Sequence, residues 1–327
     1  MVPRRRSRER SLGSTASSCR SASALLVLVL AAGFFHPKVE AAPKHLRVAG
    51  TQFLKPDGTV FAWRGITSFR LVEFVARGRE SDADAYLAWA ASKKLTIVRV
   101  LGMADGLFTL SPSDGLKALP RLLEMAQKRG LHVEVVALAD TAAIRVDIPG
   151  HVKAVAEICG RFPNALLEIA NEPVHATQAR ALHDPAFLKS LVRFVPAGVP
   201  VSLGSVENGD GFGGGTYVTW HAPRTAEWPR RMGEEGMALV RRFKKPVISD
   251  EPMGAADQAV RGRRDNDPNH FGQAAEAARR AGIGATFHYE GGLQSKLPSK
   301  IEMASLEAWL AGLNAGRSTG ASAPRSP

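Results

Sequence analysis

The sequence predicts a closed (β/α)8 barrel of the α/β class, and three observations predict it. Eight short apolar runs alternate with segments of helical spacing, the pattern of a parallel sheet with crossover helices. The chain behind the N-terminal leader is close to the ~250 residues that such barrels use. Two of the runs, the fourth and the seventh, end on Glu-Pro. Proline cannot continue a ladder, so each Glu sits at a C-terminal strand end, where barrels of this kind place their chemistry. An open doubly wound sheet is the alternative architecture, but no GxGxxG opens a helix after the first strand.

The elements follow in order. A turn at Gly58 precedes a first strand over residues 60–66, and helical spacing over 82–93 leads to a second strand, LTIVRVL, at 95–101. A helix over 112–129 stops at Gly130. The strand LHVEVVALA follows at 131–139, then a helix over 149–162 and the strand LLEIA at 166–170. A helix over 176–194 precedes the fifth strand, 199–203. The Gly-rich stretch GDGFGGG, 209–215, takes the place of a fifth helix. The remaining pairs are a strand at 217–220 with a helix at 228–243, a strand at 246–249 with a helix at 268–281, and a strand at 283–289 with a helix at 301–313.

Residues 1–41 are read as a secretory signal peptide. A basic start precedes the apolar stretch ALLVLVLAAGFF, and Val39-Glu40-Ala41 supplies small residues for cleavage. The apolar stretch is short for a membrane span, so the mature protein is expected to be secreted or periplasmic, without stable membrane insertion; an uncleaved anchor is the alternative. The barrel is expected over 42–314, and 315–327 as a disordered tail. The chain carries a formal charge of +12. The leader holds seven basic and two acidic residues, so the rest is only mildly basic at +7. No basic stripe interleaved with aromatics suggests nucleic acid. Cys159 is the one cysteine beyond the leader, so the core must hold the fold without an intrachain disulfide. No metal-ligand spacing joins His175 and His183, no Gly-x-Ser-x-Gly elbow is present, and no cofactor is implied. The oligomeric state is not written in the sequence.

Glu172, in LEIANEPV, and Glu251, in KKPVISDEPMG, are the candidate catalytic pair. Two carboxylates across a barrel mouth suit glycoside hydrolysis, with one protonated to assist the leaving oxygen and one ionised to attack or to activate water. Strand alternation is expected to turn Asp250 away from Glu251. Arg261, Arg263 and Arg264 lie in the loop after the seventh strand, beside Asp265 and Asp267, and read as a solvated loop.

Asn171-Glu172-Pro173 on the fourth strand and Glu251 on the seventh resemble the clan A glycoside hydrolases, nearest to the cellulase-like glycoside hydrolase family 5. The entry GTQFLKPDGTVFAWRGITSF and Arg99 in TIVRVL are similar to that family too. The resemblance implies a retaining hydrolase of β-glycosidic bonds in a carbohydrate substrate. Glu172 would be its acid/base, Glu251 its nucleophile, Asn171 the holder of the sugar 2-hydroxyl, and Arg99 the support of Glu251. His221 falls near the family's strand-six histidine. The family's His-x-Tyr pattern reads His221-Ala222-Pro223 here, the expected strand-three histidine is replaced by Ala139-Asp140, and the strand-eight Trp by Phe287-His288-Tyr289-Glu290. Tyr289 or His288 is the expected substitute, and Trp220 and Trp228 are candidate sugar platforms. The alternatives are a carbohydrate-binding barrel without turnover, a transglycosylase with the same Glu pair, and a barrel enzyme whose Glu pair holds a divalent metal.

Overall fold

A computed structural model describes residues 44–204 and 212–315. The expected leader, the tail from residue 316 onward and residues 205–211 of the Gly-rich region lie outside the described residues.

Eight parallel strands form the barrel: β1 (Arg64–Thr67), β2 (Ile97–Leu101), β3 (His132–Leu138), β4 (Ala165–Ala170), β5 (Val201–Gly204), β6 (Val218–Trp220), β7 (Val247–Ser249) and β8 (Gly284–Phe287). They pair in the order β6-β7-β8-β1-β2-β3-β4-β5. At the remaining seam, β5 to β6, the Thr216 and Tyr217 amides donate to the Val201 carbonyl at 2.7 and 3.3 Å. The Thr219 hydroxyl donates to Ser202 Oγ at 3.2 Å across the same seam.

The helices α1 (Leu71–Ala76), α2 (Glu80–Ser92), α3 (Pro112–Lys128), α4 (Ile148–Arg161), α5 (Pro185–Leu191), α6 (Trp228–Phe243), α7 (Pro268–Ala281), α8 (Glu290–Leu293) and α9 (Lys300–Asn314) surround the sheet. Their starts are chemically marked. Ser111, Asp184, Asp267 and Ser299 each accept a hydrogen bond from an otherwise unpaired first-turn amide. The single helix expected over 176–194 is instead a 3-10 turn, the short α5 and a second 3-10 turn. Asp184-Pro185 is the reason: proline removes an amide donor and is tolerated only in a first turn, so a new helix starts there. Among the described residues between β5 and β6, 212–217 contain no helix.

Two different cores result. Between sheet and helices, Leu87, Leu119, Leu122, Phe271, Phe287 and Trp309 are buried in a continuous apolar layer. Inside the barrel, at its N-terminal end, lies a plug of Leu46, Phe53, Phe61, Trp63, Ile97, Leu166, Tyr217 and Ile248. Phe53 comes from an N-terminal hairpin, Arg47–Ala49 paired with Gln52–Leu54. Its ring lies 5.5 Å from Trp63 and 5.3 Å from Tyr217. Burying each such ring contributes about 1.5–3 kcal/mol. Gly65 has a specific task here. A Cβ at that position would come within 2.3 Å of Thr286 Oγ1, so glycine leaves room for the 3.1 Å hydrogen bond from Trp63 Nε1 to Thr286.

Candidate active site

Above the apolar plug the barrel interior becomes charged. Arg99, on β2 and 1% exposed, is the hub. Its Nε donates to Glu168 Oε2 at 2.9 Å, its Nη1 to Glu251 Oε2 at 3.2 Å and its Nη2 to Asn171 Oδ1 at 3.0 Å. Nη2 also lies 3.1 Å from Asp250 Oδ2, and Glu134 Oε2 is 3.8 Å from Nε. A fully buried guanidinium is costly unless its donors are taken. Burial works against the Arg99 cation, and Glu168, Asp250, Glu251 and Glu134 outweigh it, so it holds its proton more firmly than usual.

Glu134 shows the opposite outcome of the same burial. Desolvation first, and Glu168 second, push its carboxyl well above the usual range. The Tyr217 hydroxyl donates to its Oε1 at 2.9 Å.

At the mouth, His221 lies between two carboxylates. Its Nδ1 is 3.4 Å from Glu172 Oε1 and its Nε2 is 3.2 Å from Glu251 Oε2. Burial opposes the imidazolium, but Glu251, Asp250 and Glu172 reverse that and raise the ring to about 10. The ring is charged at pH 7 and bridges the pair. Glu251 is buried, which alone would favour its neutral form. His221, His288 and Arg99 overcome this and hold it well below the usual carboxylate range. Glu172 is more open, its side chain 36% exposed, and the His221 hydrogen bond lowers it as well. The surroundings of both carboxylates therefore favour the ionised form.

The loop after β4 is built under strain. Glu172 has φ +41°, a left-handed conformation that costs a non-glycine residue about 1–3 kcal/mol. Neighbours hold it there. The Asn171 amide donates to the Leu138 carbonyl at 2.9 Å. The Gln178 side chain donates to the Asn171 carbonyl and accepts from Thr141 Oγ1 at 2.7 Å. Pro173 packs against Gly204, where a Cβ would stand 2.4 Å from Pro173 Cγ.

The structure thus brings Glu172, Glu251, Asn171, Arg99 and His221 together. It does not bring Tyr289 or Trp220 to them. Tyr289 is buried; its hydroxyl is 2.6 Å from that of Tyr86, it donates to the Lys296 carbonyl at 2.7 Å, and its ring stacks on Phe287. Trp220 is buried in the outer apolar layer. Trp228 is there too, with Nε1 donating to Asp265 at 2.9 Å. None of the chain's five tryptophans is exposed. The strand-eight residue that faces the carboxylates is His288, with Nε2 3.7 Å from Glu251 Oε1 and Nδ1 3.0 Å from Thr67 Oγ1.

Asp250 also departs from expectation. It does not turn away: it keeps the inward face of Ile248, two residues earlier, and meets Arg99 and His221. The ladder ends at Ser249, so Glu251 is free of the pleat and reaches the same cation. Glu134, Glu168, Asp250 and Arg224 were not read as site residues in the sequence. For Glu134 and Glu168 the available signal is a Glu inside an otherwise apolar strand, in LHVEVVALA and LLEIA, because buried carboxylates need a partner. Among the described residues, no group of three or more His, Cys, Asp or Glu is arranged to hold a metal ion, and no helix is long and apolar enough to cross a membrane.

Comparison with solved structures places the architecture. The β-glucanase of Saccharophagus degradans in complex with cellotetraose superposes with TM-score 0.59 at 12% identity, over 82% of this chain and 93% of that one. The mannanase catalytic domain of Streptomyces sp. SirexAA-E gives 0.57 at 15% identity, over 84% and 91%. A glycoside hydrolase family 5 protein of Bacteroides vulgatus gives 0.56 at 13% identity, over 78% and 64%. The fold is the one seen in glycoside hydrolase family 5. A further, longer Bacteroides vulgatus chain matches with TM-score 0.61 at 16% identity, and this chain spans 60% of its length. No protein-family model and no curated protein matches the sequence.

Proposed function

We propose that the chain is a glycoside hydrolase that cleaves β-glycosidic bonds by double displacement. The observation that carries this is the pair of carboxylates Glu172 and Glu251, at the ends of β4 and β7, with one imidazole, His221, 3.4 Å from the first and 3.2 Å from the second. The shared fold with a β-glucanase and a mannanase supports it.

In this reading Glu251 attacks the anomeric carbon, and its ionisation is maintained by Arg99 and His221. The leaving oxygen takes a proton from Glu172. His221, raised to about 10, is the group that supplies that proton. A bound sugar strips water from Glu172, which favours its neutral form, and His221 Nδ1 faces the oxygen that receives the proton. Glu172 then deprotonates a water that attacks the same carbon, releasing Glu251 with net retention. Asn171 has its carbonyl oxygen on Arg99, which leaves its amide donors for the sugar 2-hydroxyl. Export directed by residues 1–41 belongs to the same proposal.

One feature favours a second reading, carbohydrate binding without turnover: the His221 hydrogen bond lowers the Glu172 carboxyl, the reverse of what an acid requires. Proton NMR of the first-formed anomer from β-linked gluco- and manno-oligosaccharides separates the two. Hydrolysis giving the β-anomer first supports double displacement. Binding of the oligosaccharides without any product supports the second reading.

A further inference from the structure

We propose that the mouth takes a β-glycoside bearing an anionic group, a carboxylate or a sulfate, and that Arg224 and Arg264 hold that group beside Glu251. This rests on the hydrolase reading above.

Arg224 lies just beyond β6. Its Nη2 donates to the Glu251 main-chain oxygen at 3.1 Å and stands 3.6 Å from Glu251 Oε1. Its Nε is buried and has no hydrogen-bond acceptor. A buried donor left in that state is costly, and such groups in native proteins call for an explanation. A ligand oxygen would supply the acceptor.

Arg264 sits on a two-residue strand, Arg264–Asp265, paired with Gly254–Ala255. It is half-buried, and its Nη1 donates to the Arg263 carbonyl at 2.9 Å. A Cβ at Gly254 would lie 2.9 Å from His288 Cδ2 and 3.1 Å from Arg264 Nη1. Glycine there lets the guanidinium stand next to His288, which in turn faces Glu251. Burial, and after it the charge of Arg224, loosen the Arg264 proton, against the opposing pull of Glu290 and Glu251.

The acids of this loop do not neutralise it. Asp265 is occupied by Trp228 Nε1 and His270 Nδ1, each at 2.9 Å. Asp267 caps α7 through the Asn269 amide, and Asp257 accepts from Ser299. Glu290 is exposed and influences Arg264 from beyond ion-pair contact. Among the described residues, Arg261, Arg263 and Arg264 form no ion pair, and the first two are exposed on the same turn. The sequence placed acids beside these arginines; the fold turns the acids elsewhere. Planar guanidinium forks match carboxylate and sulfate oxygens, whereas a neutral sugar would leave Arg264 without an ion-pair partner.

The test uses the full purified chain and three matched 4-nitrophenyl β-glycosides: the glucuronide, the 6-sulfated glucoside and the glucoside. The proposal expects kcat/KM at least about tenfold higher for one anionic glycoside than for the neutral one. Which of the two leads identifies the anion. Arg264→Gln is expected to erase about tenfold of that preference, chiefly through KM, and Arg264→Lys to retain part of it. A neutral glycoside cleaved as well as both anionic ones overturns the proposal, and so does a preference that survives in a folded Arg264→Gln. If none of the three is cleaved, the oligosaccharide assay above decides the hydrolase reading separately. Calorimetric titration of the wild type with glucuronate and with glucose then decides the anion proposal: tighter glucuronate binding, weakened in Arg264→Lys, supports it, and equal affinities or no binding overturn it.

Discussion

The two ends of the barrel interior are built from the same strands and are opposite in chemistry. On β2, Ile97 joins the apolar plug, and Arg99, two residues on, anchors the charged cluster. On β4, Leu166 belongs to the plug and Glu168 to the cluster. On β7, Ile248 and Asp250 repeat the pattern. One two-residue step along the inner face moves from a region whose stability comes from removing apolar surface from water to one where every charge depends on another. The lower end can lose a group and keep the site. The upper end cannot lose one without leaving its partner unpaired.

That contrast sets the expected ranking of variants. The largest effect belongs to Glu251→Gln and Glu172→Gln, each expected to lower kcat/KM by about 10²–10⁴-fold or more while far-ultraviolet circular dichroism stays native. Arg99→Met comes next. Removing a cation shared by several buried carboxylates is expected to cost about 3–5 kcal/mol in urea unfolding, and to abolish activity in any molecules that remain folded. At the other end, Phe53→Ala is expected to cost a similar ~3–5 kcal/mol, yet to leave kcat per folded molecule within about twofold, since only the transition-state contacts of the mouth enter it. Equal loss of kcat in both variants would show that the two ends are not separable.

Two smaller effects sharpen the picture. Glu172→Gly should be inactive yet more stable than Glu172→Ala, since both lose the contact with His221 and only glycine accepts the φ of +41° without strain; a melting temperature no higher than that of the alanine variant would contradict the strained loop. His221→Gln tests the electrostatics through pH. The ring is raised in the fold to about 10, from an unfolded value near 6.5. Its contribution to stability is therefore fully present below about pH 6.5 and is lost as the pH rises toward 10. Wild type and variant should differ most at pH 6 and converge above pH 10 in thermal unfolding.

Much of this was legible in the sequence, and the misplacements share one cause. Strand ends announce themselves through Asn-Glu-Pro and Glu-Pro, and Arg99 stands out as a charge in an apolar run. The same alternation that separates plug from cluster also sorts the residues read otherwise. On β6, Thr219 and His221 face inward, so Trp220 between them faces the helices. At the end of β8, Thr286 and His288 face inward, so Phe287 and Tyr289 pack outward. An aromatic near a mouth suggests a sugar platform by its type, but the pleat decides its side. Glu134 and Glu168 carry the same mark, one charge in an apolar run, but they lie inside the strand instead of at its end, and the contact with Arg99 across the barrel reveals their part. The engagement of Asp265 by Trp228 and His270 joins residues from separate elements, and no local pattern announces it.

The central claim is that Glu251 is a nucleophile held ionised by the Arg99–His221 pair. Mass spectrometry after incubation with 2-deoxy-2-fluoro β-glycosides tests it most directly, because these trap a retaining nucleophile as a stable ester, and the panel should include a glucuronic acid derivative. The account predicts a single adduct on the peptide containing Glu251, absent in Glu251→Gln. An adduct on Glu172 or Asp250, or an unmodified protein that still releases sugar from β-glycosides, would contradict it.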